Sequence, residues 1–137
     1  MSDCLFCKII NKTIPAEVVY EDEQVVAFLD INPVNPGHTL VVPKEHKEFF
    51  WELGANSCGP VSLVIQKIMN VLVHDLGYEG VNLIQNNGPA SGQVIPHVHF
   101  HVIPRKSGDG HAHWRGAAYE AGEQAMMAEK IKAVLKF

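Results

Sequence analysis

His97-Val98-His99-Phe100-His101-Val102-Ile103 decides the reading of this 137-residue chain. Histidine alternates with valine and phenylalanine at a period of two, which belongs to an extended strand and not to a helix. Side chains on a strand alternate faces, so His97, His99 and His101 share one face, about 7 Å apart along it. Val98, Phe100 and Val102 then point the other way, into a core. The strand is expected to run from His97 to Ile103 and to end at Pro104, which has no N–H to give a ladder. Three imidazoles on one face suit a polar strand surface, a zinc cage, or a nucleophilic site. In the last, a neutral imidazole attacks phosphorus and forms a covalent phosphoramidate.

Upstream of this strand, residues 86–93 (Asn-Asn-Gly-Pro-Ala-Ser-Gly-Gln) form a loop whose glycines let backbone N–H groups approach an anion. Val81 to Ile84 reads as a short strand. Val61, Val64, Ile65, Ile68 and Leu72 recur at helical spacing, which predicts one amphipathic helix between Pro60 and Asp75, with Gly77 as its stop. Thr39 to Val42 predicts a strand stopping at Pro43. Val18 to Tyr20 and Val25 to Leu29 predict a hairpin around the acidic turn Glu21-Asp22-Glu23. The run Asn32-Pro33-Val34-Asn35-Pro36-Gly37 is a loop. Leu5, Phe6, Ile9 and Ile10 have the spacing of a short N-terminal helix, and Met127, Ile131, Val134 and Leu135 that of a C-terminal one. Strands around one long helix predict an α+β domain with an antiparallel sheet. The chain reads as a single domain over residues 1–137.

Composition narrows the class. A content of 47% apolar and 19% charged residues is globular. The net charge of −4 argues against a general nucleic-acid binder. Three cysteines cannot all pair, and a chain this size folds without staples. No apolar stretch approaches the ~20 residues of a membrane span. The start, Met1-Ser2-Asp3, has no basic segment leading into an apolar run. A soluble, cytoplasmic protein is the expectation.

The histidine strand resembles the signature of the histidine-triad (HIT) family, His-φ-His-φ-His-φ-φ with φ apolar. The resemblance extends upstream through Cys4-Leu5-Phe6-Cys7-Lys8-Ile9-Ile10, Ile14-Pro15-Ala16, Tyr20-Glu21-Asp22, Ala27 to Ile31, Gly37 to Lys44 and Gly92-Gln93, in family order. It covers residues 1–105 and is weakest in the loop and C-terminal helix of residues 106–137. It implies a HIT-like fold of about five antiparallel strands with one main helix. The implied activity is hydrolysis or transfer at the α-phosphate of a nucleoside phosphoramidate or (di)nucleoside polyphosphate, through a covalent nucleotidyl-histidine. The partner implied is a purine nucleotide such as AMP or GMP, bound by a homodimer and without nucleic acid, membrane or organic cofactor.

By position, His99 matches the nucleophile. A free nitrogen on its ring requires the other to donate to a carbonyl. His101 matches the phosphate contact, which would donate a hydrogen bond to charge that builds in the transition state. His38 matches a further histidine supporting the triad from the neighbouring strand. Asn86, Gly92, Gln93 and Val94 match the phosphate loop and leaving-group contacts. Val94 stands where the family usually has Ser or Thr, which removes a hydroxyl donor while the backbone N–H remains. Asp30, by itself a strand-end carboxylate, matches the acceptor of the ribose hydroxyls. Phe6, Ile9, Phe28 and Ile31, otherwise ordinary core candidates, match the walls around the base.

Cys4-x-x-Cys7 lacks the βαβ setting of a redox pair, and zinc needs two more ligands. The resemblance supplies them. A Hint-like branch of the family carries a structural zinc on this CxxC, a histidine after the Pro-Lys segment and the first triad histidine, here His46 and His97. Two other functions stay open at this point, a zinc-dependent hydrolase with the triad as cage and a nucleotide-binding module with vestigial activity. Cys58 reads as an ordinary semi-buried thiol, and His74, His111 and His113 as exposed.

Overall fold

Val25 and Val26 are both fully buried although neighbours on a strand face opposite ways. A strand with both faces buried lies in a sheet covered on two sides, and this is the architecture. The computed structural model describes residues 3–137; Met1 and Ser2, at the start of the segment read for a leader, lie outside them. Its elements are α1 (Leu5–Ile10), β1 (Val18–Glu21), β2 (Val25–Leu29), β3 (Thr39–Pro43), α2 (Ala55–Asn70), β4 (Gly80–Gln85), β5 (Phe100–Arg105) and α3 (Glu123–Val134). The five strands form one antiparallel sheet in the order β1-β2-β3-β5-β4.

The predicted alternation sorts the core into two layers. Val25, Ala27, Val41, Val98, Phe100 and Val102 face α2 and pack on Val61, Val64, Ile65 and Leu72. Val26, Phe28, Leu40 and Val42 face α1 and pack on Phe6 and Ile9. Burying side chains of this size stabilises by roughly 1.5–3 kcal/mol each, so these two layers dominate the fold's stability. The β1–β2 turn is closed by Asp22, whose Oδ1 accepts from the N–H groups of Gln24 (2.7 Å) and Val25 (2.8 Å).

Three boundaries differ by more than two residues from those the sequence predicts. The main helix starts five residues before Pro60, at Ala55. Pro60 cannot donate to the carbonyl of Asn56, and Gln24 Nε2 donates to that carbonyl at 3.2 Å instead, so an interior proline is tolerated. At its other end α2 stops at Asn70 and passes into a wide turn, Val71–Asp75, closed by Leu76 N–H on Val71 O (3.0 Å). The third boundary is that of the histidine strand, which begins at Phe100 and not at His97, and continues through Pro104 to Arg105. In the register Val41↔Phe100, the next position of β3 facing β5 is Pro43, which has no N–H to give. Val98 N–H donates to Lys47 O (2.8 Å) instead. Pro104 is tolerated because β5 has lost β3 beyond Val102; its carbonyl points to that open side and accepts from Asn35 Nδ2 (2.9 Å).

Val98 nevertheless faces the α2 layer as expected. The C-terminal stripe is also different. Met127, Ile131 and Val134 lie on α3 and Leu135 ends it, but all four are exposed and α3 buries none of its residues. Helical spacing predicts a helix; it does not supply a surface to cover it. Among the described residues, no helix is long and apolar enough to cross a membrane.

Candidate functional site

Every histidine of the strand has its tautomer set by a backbone group or by another histidine, and this divides their roles. His97 donates from Nε2 to the carbonyl of Pro43 (2.8 Å), so its Nδ1 holds a lone pair. That carbonyl is free because the ladder stopped there. Nδ1 of His97 faces Cys4 Sγ (3.4 Å), Cys7 Sγ (3.7 Å) and His46 Nδ1 (3.0 Å), and Cys7 Sγ is 3.3 Å from His46 Nδ1. Bonds of about 2.0–2.3 Å to a tetrahedral metal give edges of about 3.3–3.8 Å between ligand atoms, close to these spacings. Cys4, Cys7, His46 and His97 could therefore hold a metal ion. Burial, then the hydrogen bond and charge of Cys4, pushes the Cys7 thiol up, so a cation is what would hold that sulfur as a thiolate here.

His99 donates from Nδ1 to the carbonyl of His97 (2.7 Å), which leaves a lone pair on Nε2. Its ring lies edge-on to Phe6 of α1, with centroids 5.0 Å apart. Phe6 also abuts His97 and Phe28, so the segment that carries Cys4 and Cys7 also shapes the surroundings of His99. His101 is fixed through His38. Val34 N–H donates to His38 Nδ1 (3.1 Å), so the proton of His38 is on Nε2, from which it is donated to His101 Nδ1 (3.0 Å). The proton of His101 is thereby left on Nε2. Burial lowers the pKa of all four rings. His97 and His101 fall to about 4; His38 and His99 are also lowered, opposed in part by Asp30 and, for His99, by the carbonyl of His97. At neutral pH they act through lone pairs and N–H groups and not as cations.

His99 and His101 open onto a cleft of about 430 Å³. Phe6, Ile9, Phe28, Asp30, Ile31, Gly92 and Val94 also line it, so the structure brings together most of the residues singled out from the sequence. Phe6, Ile9 and Phe28 are buried in its walls, whereas Ile31 (90% exposed) and Val94 (84%) stand at its mouth. Asp30 directly follows β2, with Oδ1 accepting from Asn32 N–H (2.8 Å) and Oδ2 3.6 Å from His38 Nε2. No acceptor among the described residues takes the Val94 N–H. A second groove of about 440 Å³ between α2 and β1 is lined mostly by apolar residues, with Tyr20, Thr39 and Lys67 among them and no histidine or carboxylate.

Asn86 and Gln93 are placed differently. Neither lines the cleft. Gln93 braces its own loop, its Oε1 accepting from Gly88 N–H (2.7 Å) and its Nε2 donating to the carbonyls of Glu48 (2.9 Å) and Ile95 (3.1 Å). The triad does not form one cage either, since His97 joins the cysteines while His99 and His101 face the cleft. Asp30, His38 and His101 converge closely enough to hold an ion. Binding one would need the lone pair of His38 on Nε2 and a proton on Nδ1, facing the Val34 N–H, so the tautomer opposes it. As the sequence suggests, Cys58 is half-buried and His74, His111 and His113 are exposed. His111 nonetheless has a partner that no local pattern announces, the carbonyl of Val34 (3.1 Å).

The chain is similar in sequence and fold to known proteins. The adenosine 5'-monophosphoramidase of Schizosaccharomyces pombe is 41% identical over 102 residues, 74% of this chain and 74% of that protein. A HIT family protein of Bacillus subtilis superposes with a TM-score of 0.90 at 37% identity, covering 98% of this chain and 99% of that one. A zinc-bound histidine-triad protein of Mycobacterium smegmatis does so at 0.75 and 33%, covering 96% and 98%. The HIT domain model matches residues 11–108, from the segment after α1 to the turn beyond β5. A match over that length, with the alternating histidines on the sheet face that the pattern implied, places the chain in the HIT domain family.

Proposed function

We propose that the chain hydrolyses purine nucleoside 5'-phosphoramidates, or (di)nucleoside polyphosphates, at the α-phosphorus through a covalent nucleotidyl-His99. One observation carries this reading: His99 spends Nδ1–H on the carbonyl of His97 and keeps a lone pair on Nε2 at a cleft that also holds Asp30. Nε2 attacks phosphorus as the bond to the leaving nitrogen breaks, and the amine departs having taken up one proton from water. The imidazolium of the adduct is stabilised by the same Nδ1–H to carbonyl bond. Water then attacks the adduct, releasing the monophosphate, neutral His99 and one proton. His101 Nε2–H and the Val94 N–H donate to the nonbridging oxygens, where charge builds. Phe6, Ile9, Phe28 and Ile31 enclose the base, and Asp30 accepts from the ribose hydroxyls. Asn86, Gly92 and Gln93 shape the phosphate loop, and His38 holds His101.

The name of the S. pombe relative supports an adenosine phosphoramidate as substrate, and the zinc-bound neighbour supports zinc at Cys4, Cys7, His46 and His97. Zinc there would neutralise two buried thiolates and tie α1, with Phe6 and Ile9, to the sheet. The chemistry at His99 needs no metal in this reading. A cytoplasmic setting fits two thiols held by a metal. The test is a panel of adenosine and guanosine phosphoramidates and dinucleoside polyphosphates, assayed by released monophosphate, with an acid-quenched sample searched for a nucleotidyl-peptide spanning residue 99. Nucleotide binding without turnover on any of the panel would favour the binding-module reading, which the valine at position 94 otherwise makes the second choice.

A homodimer is part of the same proposal. β4 is an open sheet edge, and Leu63 and Val71 leave apolar surface exposed on and just beyond α2. Sedimentation at micromolar concentration should give a particle of twice the 15.1 kDa of one chain; a 15.1 kDa particle alone would refute the dimer.

A further inference from the structure

Val34, in the loop between β2 and β3, meets a histidine at each end of its backbone unit. Its N–H fixes His38, and its carbonyl accepts from His111 Nε2 (3.1 Å), on the loop beyond β5. The next residue, Asn35, is tied to the same distant loop, its Nδ2 donating to Pro104 O (2.9 Å) and Asp109 Oδ2 (3.0 Å). Asp109 is itself gripped by the fork of Arg105, with Nε on Oδ2 at 2.7 Å and Nη2 on Oδ1 at 2.9 Å. Arg105 is anchored in the sheet by Asn82 Oδ1 on β4 (2.6 Å) and also holds the carbonyl of His111 (2.8 Å). A rigid strand end thus grips one loop, and that loop grips the backbone next to His38.

We propose that Asp109 and His111 are positioning residues: they hold Val34 so that His38 keeps its proton on Nε2, and with it His101 keeps its proton on Nε2. The consequence for the chemistry rests on the proposed role of His101 as donor to the phosphate. If Val34 swings away, the Nδ1–H tautomer of His38 is no longer opposed. His38 Nε2 then presents a lone pair to His101 Nδ1, the proton of His101 moves to Nδ1, and a lone pair on Nε2 faces the phosphate oxygen. A donor has become a repulsive acceptor. Because charge on that oxygen grows toward the transition state, the loss falls on kcat more than on KM.

The full-length chain with His111→Ala, His111→Gln and Asp109→Asn provides the test, with kcat and KM for an adenosine phosphoramidate and the imidazole ¹⁵N shifts of His38 and His101 as readouts. Losing one exposed hydrogen bond should lower kcat about fivefold in His111→Ala, with KM within about twofold. Gln restores the donor and should restore the rate. Asp109→Asn should lower kcat by about tenfold or more. In His111→Ala and Asp109→Asn the His38 ¹⁵N pattern should shift from Nε2–H toward Nδ1–H. Unchanged kcat in both variants would overturn the proposal. So would a reduced kcat with the wild-type tautomers intact, since that is a purely structural effect. His111 is exposed, so its variants fold even if Asp109→Asn does not. Should the wild-type chain turn over no substrate, the functional reading fails, and the ¹⁵N patterns alone decide the positioning role.

Discussion

Replacing His99 with alanine is expected to lower phosphoramidate turnover by about 10⁴-fold or more while leaving a folded protein that binds nucleotide. The two neighbouring histidines cannot substitute. His97 spends Nε2 on Pro43 and turns Nδ1 toward Cys4, Cys7 and His46, and His101 has its Nδ1 occupied by His38. Of the three rings of residues 97, 99 and 101, that of His99 is the one that offers a lone pair in the cleft, and in-line attack tolerates little displacement. The fold should survive because Val98, Phe100 and Val102, which carry the packing of this segment on α2, are untouched. His101→Ala should cost less, about 10²–10³-fold in kcat, the usual worth of one donor to a developing anion. Steady-state rates, thermal melts and nucleotide titrations on both variants check these numbers. Near-normal hydrolysis by His99→Ala, or trapped label on His101, would show the mechanism to be wrong.

The second large effect concerns the metal. Protein purified without chelators should contain about one zinc per chain, and stripping it should lower Tm by roughly 10–20 °C. An ion present at about a thousand times its Kd contributes about 4 kcal/mol of stability, which in a chain of this size is a shift of that order. The loss should appear first in α1, because its six residues are anchored by Cys4 at its start and Cys7 within it. Phe6 would loosen with them, so the metal-free protein should also bind nucleotide more weakly. Cys7→Ser should reproduce the destabilisation without chelator. Metal-free native protein with Cys4 and Cys7 joined in a disulfide would exclude the zinc site.

The alternation of residues 97–103 was enough to sort the sheet's two faces, because side-chain direction on an extended chain is a local property that needs no partner. The two core layers, the single main helix and the hairpin closed by Asp22 follow from patterns of the same kind. Each is a periodicity or a turn preference written in neighbouring residues. The convergence of Cys4 and Cys7 with His46 and His97, by contrast, was legible only through resemblance, since nothing local links positions that far apart. Tertiary structure alone decided where the histidine strand begins. Pro43 removes a donor on the neighbouring strand, and the carbonyl it leaves open is the one that sets the tautomer of His97. It also decided that Gln93 braces its own loop and does not line the cleft, and that the C-terminal stripe covers no core. The tie of His111 to Val34 joins positions 77 apart in sequence. A single exposed histidine has no period and no preferred turn, so only the folded chain reveals which carbonyl it meets.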